Sequence, residues 1–413
     1  MQDLILQHLN EPAYLEALYR EHRNNFKKAF LGLYAQISEH PVAQCWYARL
    51  HDDSEELHWG WKQEWLVVAA LALLAGAIAK LPAWLAIQPE NFYPRYAGFM
   101  VFPFLMGYYM WKRQIAFSKL IWPWVICAIS LVYMNLLPGD VKKDTFLLAC
   151  IYLPVLLWAM LGVVFMQGRW RAQQDRFLYL QYNGDLAVMI QLILAAGAMF
   201  TALTFALFSL IQVRIEEVYA EYVGIWGLAA TPLVASCLIE ANPLLVRRIS
   251  PIIASIFAPF TLVTLTGYLI ALLFIGKSPY NDRHFLLVFN LILVGVMAIL
   301  FFSIISIAST SHQIFLWVLL GLSLVTILFC GTALSAILFR IIKWGVTPNR
   351  LAVLGIDLLM GIHLLLIAYR LSRAMIHKQP VDTVIHSITS FLPVYVIWAA
   401  LVVFLFPVLF HFQ

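Results

Sequence analysis

The chain has 413 residues, of which 62% are hydrophobic and 12% are charged, whereas about a quarter are charged in an ordinary soluble domain. This composition excludes a soluble globular protein and predicts an all-α fold, a polytopic integral membrane helix bundle. The net charge of +5 divides into −4 for residues 1–64 and +9 for the remainder. The cations stand singly or in pairs beside apolar runs, so the sequence predicts no nucleic-acid surface.

We predict that residues 1–64 form a cytoplasmic helical segment and that residues 65–413 form the transmembrane domain. The first part contains no apolar core of a secretory signal, so we expect it to stay on the cytoplasmic side. Apolar residues at helical spacing, among them Leu15, Phe26 and Phe30, predict a helix packed under the membrane domain. The alternatives are an anchor at the lipid surface and a site for a cytoplasmic protein partner.

Eleven apolar runs are long enough to cross the hydrocarbon core as helices. They are roughly 65–87, 93–111, 115–137, 145–166, 186–212, 222–239, 251–275, 284–308, 314–339, 351–369 and 390–411. If the N-terminus is inside, the cytoplasmic segments hold 17 Lys and Arg residues and the outer loops hold 9. This excess predicts an N-in, C-out topology, although the 3 cations on each side after residue 308 leave the last three helices unoriented.

The short polar stretch KWGVTPNR, residues 343–350, separates two of these apolar runs. Thr is a favoured N-cap and Pro suits the first helical position, so Thr347 and Pro348 predict the start of the tenth helix. The same geometry leaves free N–H groups beside Arg350, which would also suit a lipid phosphate or a carboxylate. The stretch is therefore either a joint between helices or an anion site.

Asp357 is a carboxylate about two turns into the same apolar helix, where an unpaired charge is costly. Arg350 is seven residues earlier and so lies on nearly the same face, roughly 10 Å along the axis. His363 and Arg370 continue this polar stripe. We expect Asp357 to face protein and to pair with Arg350 or His363. The stripe then either orders the bundle as an internal ion pair or lines a proton- or anion-coupled pathway.

Two further polar residues are candidates for the pathway, because they are hard to explain as solvated. Glu240 ends an apolar run and Asn290 lies within one. The sequence contains no CxxC and no Cys/His spacing of the kind that binds metals, and it predicts neither a metal nor a cofactor. The segment EEVYAEY starts like the paired glutamates of intramembrane CAAX-type proteases. However, Glu221 stands where that pattern requires Arg, and no matching His motif follows.

Several blocks between residues 175 and 370 resemble a known family: YNGDL, VYAEYVGIWGLAATPLVASCLIEANPLLVRRISPIIASIFAPF, KSPYNDRHFLLVFNLILVGVMAILFFSI and WGVTPNRLAVL. They are similar to the bacterial multi-pass membrane proteins of domain-of-unknown-function family 4153. The resemblance implies a protein of the bacterial cytoplasmic (inner) membrane and no established activity. It covers the first four spans only in hydropathy and does not include the acidic N-terminal segment.

Three functions fit these patterns. The first is a permease-like protein that binds or moves a small anionic or amphiphilic solute, with the Asp357 stripe as its polar lining. The second is a membrane scaffold or sensor that engages a cytoplasmic partner through residues 1–64. The third is a lipid-modifying enzyme. A polar cavity near the middle of the bundle would favour the first function, and a fully packed bundle would favour the second.

Overall fold

A computed structural model describes residues 1–21, 23–52, 62–138, 143–210, 212–275, 283–306, 313–377 and 382–412. Within these ranges all regular structure is helical, which confirms the predicted all-α fold. The chain divides into two compact units, Met1–His58 and Trp59–Gln413. Residues 277–282, at the start of the block KSPYNDRHFLLVFNLILVGVMAILFFSI, lie outside the described residues.

The N-terminal unit consists of four helices in the part that is described. They are α1 (Gln2–Gln7), α2 (Pro12–Glu21), α3 (Arg23–Ile37) and α4 (Pro41–Asp52). Leu15, Phe26 and Phe30 are fully buried in the core of this unit, and Trp46 packs against Phe26 with ring centroids 5.1 Å apart. The apolar residues that we predicted to pack under the membrane domain therefore form the core of the N-terminal unit itself.

The second unit contains the long helices. In chain order they are α5 (Lys62–Trp84), α6 (Pro89–Lys112), α7 (Ile121–Leu136), α8 (Asp144–Phe165), α9 (Gln173–Leu210), α10 with α11 (Glu216–Ala241), α12 (Pro243–Ile275), α13 (Arg283–Ser306), α14 (Gln313–Trp344), α15 (Pro348–Ile376) and α16 with α17 (Asp382–Leu409). A π-helical turn joins α10 to α11 at Ala220–Gly224, and another joins α16 to α17 at Leu401–Leu405.

Ten helices of the described chain are long and apolar enough to cross a membrane, which makes this a multi-pass membrane protein. The predicted span 93–111 corresponds to α6, which is not among the ten because its Tyr, Pro and charged residues lower its hydropathy. Two contacts nevertheless place α6 antiparallel to α5 along its whole length. Lys112 bonds Glu64 at one end (2.6 Å), and the Tyr93 hydroxyl bonds the Ala79 carbonyl near the other (3.1 Å). Helix α6 therefore covers the same depth as α5.

The long helices pack into two groups. One comprises α5 to α8 together with α11, and the other comprises α12 to α16, while α8 and α9 each contact members of both. Close approach depends on small residues, as is usual where hydrocarbon supplies no hydrophobic driving force. A Cβ at Gly355 of α15 would overlap the ring of Trp398 on α16. Helix α9, with 38 residues, is about 57 Å long, which is nearly twice the hydrocarbon thickness.

Candidate functional site

The polar stretch between α14 and α15 is built as a joint. Helix α14 ends at Trp344, Gly345 adopts a φ of +80°, and α15 begins at Pro348. The Thr347 hydroxyl accepts the Arg350 N–H at 3.3 Å, at the helix boundary that the sequence predicts. Arg350 in turn donates to the carbonyls of Trp344 (2.9 Å) and Gly345 (2.7 Å). Its guanidinium therefore satisfies the exposed carbonyls at the end of α14.

Asp357 lies in the protein interior, as predicted, with a fully buried side chain. The predicted partner is wrong, because neither carboxylate oxygen has a hydrogen-bond partner in the described structure, and Arg350 is turned toward α14. The seven-residue spacing brought the two residues to one face but did not determine which way the longer side chain turned. From α14, the Cys330 thiol donates to the main-chain carbonyl of Asp357 at 3.2 Å.

Two side chains from other helices lie near this carboxylate. Tyr152 on α8 and Trp398 on α16 pack against one cluster that contains Ala352 of α15. The Trp398 ring packs on Gly355, two residues before Asp357. Residues of α8, α14 and α16 therefore pack around the part of α15 that carries the carboxylate.

His363 is also fully buried, but it lies in a different environment. Its Nδ1 is 3.0 Å from the Tyr395 hydroxyl. Its ring stacks on Phe391, with centroids 4.4 Å apart, and contacts Phe301 at 4.9 Å. No hydrogen bond or ion pair joins it to Asp357 in the part of the chain that is described.

The remaining predicted residues are scattered. Arg370 is exposed. Glu240 lies 3.8 Å from Arg113, in a separate hollow of about 250 Å³ that Asp175 and Asp185 also line. The Asn290 side-chain oxygen is buried without a hydrogen-bond partner. The structure therefore does not assemble the predicted stripe into one continuous polar path.

A cleft of about 790 Å³ lies between the two groups of helices. It is lined mainly by aliphatic and aromatic side chains of α8, α9, α12, α13, α15 and α16, and sequence analysis did not predict it. Its polar groups are few: Tyr152, Trp158, Asn183, Gln191 and Tyr395. The Trp158 indole donates to the Asn183 side-chain oxygen at 2.7 Å, so that pair is largely satisfied internally.

The cleft connects two of the predicted residues that do not contact each other. Tyr395 lines the cleft, and its hydroxyl lies 3.0 Å from His363 Nδ1. Ile356 and Met360, which flank Asp357 in sequence, also line the cleft. His363 therefore lies behind a tyrosine of the cleft surface, and Asp357 lies between two residues of α15 that line it.

Sequence reasoning missed a set of charges that pair across helices near the ends of the bundle. Glu64 accepts hydrogen bonds from Lys112 (2.6 Å) and from the Tyr108 hydroxyl (2.7 Å). Lys80 pairs with the Glu221 carboxylate at 2.5 Å. The sequence does contain a signal for such pairs. Two consecutive predicted spans carry opposite charges at the ends that meet when the helices are antiparallel, as Glu64 and Lys112 do.

No family model, no curated protein and no solved structure matches this chain.

Proposed function

We propose that the chain is a permease-like membrane protein that binds an amphiphile of the lipid class in the cleft between its two helix groups. The observation that supports this is the size and lining of the cleft. Its volume of about 790 Å³ falls in the range of roughly 300–1,000 Å³ typical of small-molecule sites. Its apolar surface suits a hydrocarbon chain, and Tyr152 and Tyr395 would face the polar part.

The alternative of a small anionic solute has less support. Such a solute needs cations or free N–H groups, and the predicted cations are placed elsewhere. The Arg350 guanidinium donates to the carbonyls at the end of α14, and Arg370 is exposed. The residues that line the cleft include no Lys or Arg.

The test is photolabelling of the protein in nanodiscs with a phospholipid that carries a diazirine on its acyl chain. We expect the labelled peptides of α9 and α13 to map to residues that line the cleft, such as Ala187 and Ala298. Ala187→Phe places a ring in the cleft and should reduce labelling there several-fold. Ala196→Phe is the matched control, because this exposed residue lies on the opposite side of α9 and does not line the cleft.

Two outcomes would contradict the proposal. One is labelling spread evenly over the exposed faces of the long helices, without enrichment in the cleft. The other is an equal effect of Ala187→Phe and Ala196→Phe, since both rings would then act only through the bulk lipid.

The separate core of the N-terminal unit favours a second candidate function, in which this unit engages a cytoplasmic protein partner. A four-helix unit with its own aromatic core does not need the membrane helices to bury its apolar residues. Deletion of residues 1–58 should leave photolabelling of the cleft unchanged. It should also abolish a larger assembly that the full chain forms in mild detergent extracts. An unchanged assembly size would exclude this role.

For location we propose the bacterial cytoplasmic membrane, with residues 1–58 in the cytoplasm and Gln413 outside, on the basis of the 17 to 9 cation excess and eleven spans. The antiparallel contact of Glu64 with Lys112 supports this count, because it makes α6 a return crossing. Impermeant thiol reagents applied to single cysteines at Asp52 and Gln413 should label only the second in intact cells. Labelling of both or of neither would exclude an odd number of spans.

A further inference from the structure

Asp357 is completely buried, and neither of its carboxylate oxygens has a hydrogen-bond partner among the described residues. This combination is rare, since buried polar groups are normally satisfied and an unpaired charge in hydrocarbon is unfavourable by several kcal/mol. The titratable groups near this part of α15 are the Cys330 thiol from α14 and Tyr152 from α8, and the Tyr395 hydroxyl from α16 lies further along the helix, at His363. None of these groups is a cation.

A carboxyl group in such a place has two stable states: it binds a proton, or it acquires a positive partner. No Lys or Arg among the described residues forms an ion pair with Asp357, and its neighbours offer too few oxygen atoms for a metal cation, which prefers six or more. No group of three or more His, Cys, Asp or Glu in the described residues could hold a metal. The neutral acid is the state that this environment stabilises.

We infer that Asp357 forms a proton-binding site whose occupancy is coupled to the amphiphile in the cleft. The step is the reversible transfer of a proton from hydronium in the solvent to one carboxylate oxygen, which gives the neutral acid and water. The coupling rests on the proposed function, whereas the proton site itself does not.

Helix α15 provides the physical link for this coupling, because Ile356 and Met360, which flank Asp357 in the chain, line the cleft. An occupant that packs against these two side chains would change the packing around the carboxyl group. By linkage, a proton on Asp357 and an amphiphile in the cleft must then change each other's affinity by the same factor. Amphiphile binding that depends on pH is the expected property of such an arrangement.

The test is infrared difference spectroscopy of the full chain in nanodiscs, titrated from mildly acidic to mildly alkaline pH. A protonated carboxyl gives a carbonyl stretch that is separate from the amide bands. We expect a stretch that disappears as the pH rises, that is lost in Asp357→Asn and that reappears in Asp357→Glu. Ala187→Phe, which fills the cleft, should displace the midpoint of the titration at least twofold in proton concentration relative to Ala196→Phe.

The outcomes separate the two proposals. A spectrum of Asp357→Asn identical to that of the unaltered chain, with both proteins folded, would overturn the proton site. So would a carboxylate band that responds to sodium concentration instead of pH. If the pH-sensitive band is present but Ala187→Phe and Ala196→Phe titrate alike, the coupling is wrong and the proton site stands. If photolabelling finds no lipid in the cleft while the band persists, the proposed function fails independently.

Discussion

Buried carboxylates have different surroundings in the two helix groups of the membrane unit. Glu64 in the first group and Asp357 in the second are 1% and 0% exposed, so both are removed from solvent. Glu64 accepts hydrogen bonds from Lys112 and Tyr108, whereas neither oxygen of Asp357 has a hydrogen-bond partner in the part of the chain that is described. Burial alone therefore does not indicate a functional residue, and the difference lies in whether the fold supplies a partner.

Lys80 extends the comparison within the first group. It is 1% exposed, its ammonium contacts the Glu221 carboxylate at 2.5 Å, and it lies 4.2 Å from the centre of the Tyr222 ring. These partners come from the π-helical turn Ala220–Gly224, where the widened backbone brings the Glu221 carbonyl within 3.1 Å as well. In the first group, then, buried charge serves to fix one helix against another.

The largest expected effect on stability is that of Glu64→Ala. The change leaves the Lys112 ammonium without its counter-ion and the buried Tyr108 hydroxyl without its acceptor. We expect a loss of about 3 kcal/mol in the free energy of unfolding, measured by denaturant titration in mixed micelles. Glu64→Gln keeps an acceptor for Tyr108 and should lose less. Equal losses in the two variants would show that the acceptor for Tyr108 contributes nothing once the charge of Glu64 is removed.

Lys80→Met should have the next largest effect. It removes the ammonium but keeps most of the apolar side chain, and Glu221, which is 46% exposed, can turn toward water. The expected loss is therefore smaller than for Glu64→Ala, at about 2 kcal/mol in the same titration. Lys80→Arg should retain most of the stability. A loss for Lys80→Met above that for Glu64→Ala would mean that Glu221 cannot reach solvent.

Much of the fold could be predicted from the sequence because a bilayer imposes helix length directly. The run 93–111 was predicted as a span from its length, and α6 does traverse the depth of α5 even though its hydropathy is lower. The boundary at Thr347 and Pro348 was predictable as well, since capping depends on neighbouring residues alone.

The candidate site was much less predictable, for a physical reason. Spacing along α15 placed Arg350 and Asp357 on one face, yet it gave no information on which neighbouring helix each side chain meets. The partner of Lys80 lies 141 residues away and that of Glu64 lies 48 residues away, so these pairs depend on tertiary packing. The cleft has no local pattern in the sequence, because seven helices contribute to it.

Thr347→Ala tests the joint between α14 and α15 in the second helix group. At this joint a helix cap takes the place of an ion pair such as that of Glu64 with Lys112. The hydroxyl accepts one of the free N–H groups at the start of α15, and its loss should decrease the free energy of unfolding by about 1 kcal/mol. Thr347→Ser is the control and should behave like the unaltered chain. Thermal unfolding monitored by circular dichroism would measure both. Equal stability of the alanine and serine variants would mean that water replaces the cap without cost.

The smallest expected effect on stability is that of Asp357→Asn, and it gives the sharpest form of the comparison with Glu64. Because Asp357 has no hydrogen-bond partner to lose among the described residues, the amide should change the free energy of unfolding by less than about 1 kcal/mol in either direction. The same titration in mixed micelles that reports about 3 kcal/mol for Glu64→Ala measures it. Near-equal stability together with loss of the pH-sensitive carboxyl band would separate a proton-binding role from a structural one. If Asp357→Asn instead destabilised the protein as much as Glu64→Ala, the carboxylate would have to be held by contacts as strong as those of Glu64. The contrast between the two helix groups would then be wrong.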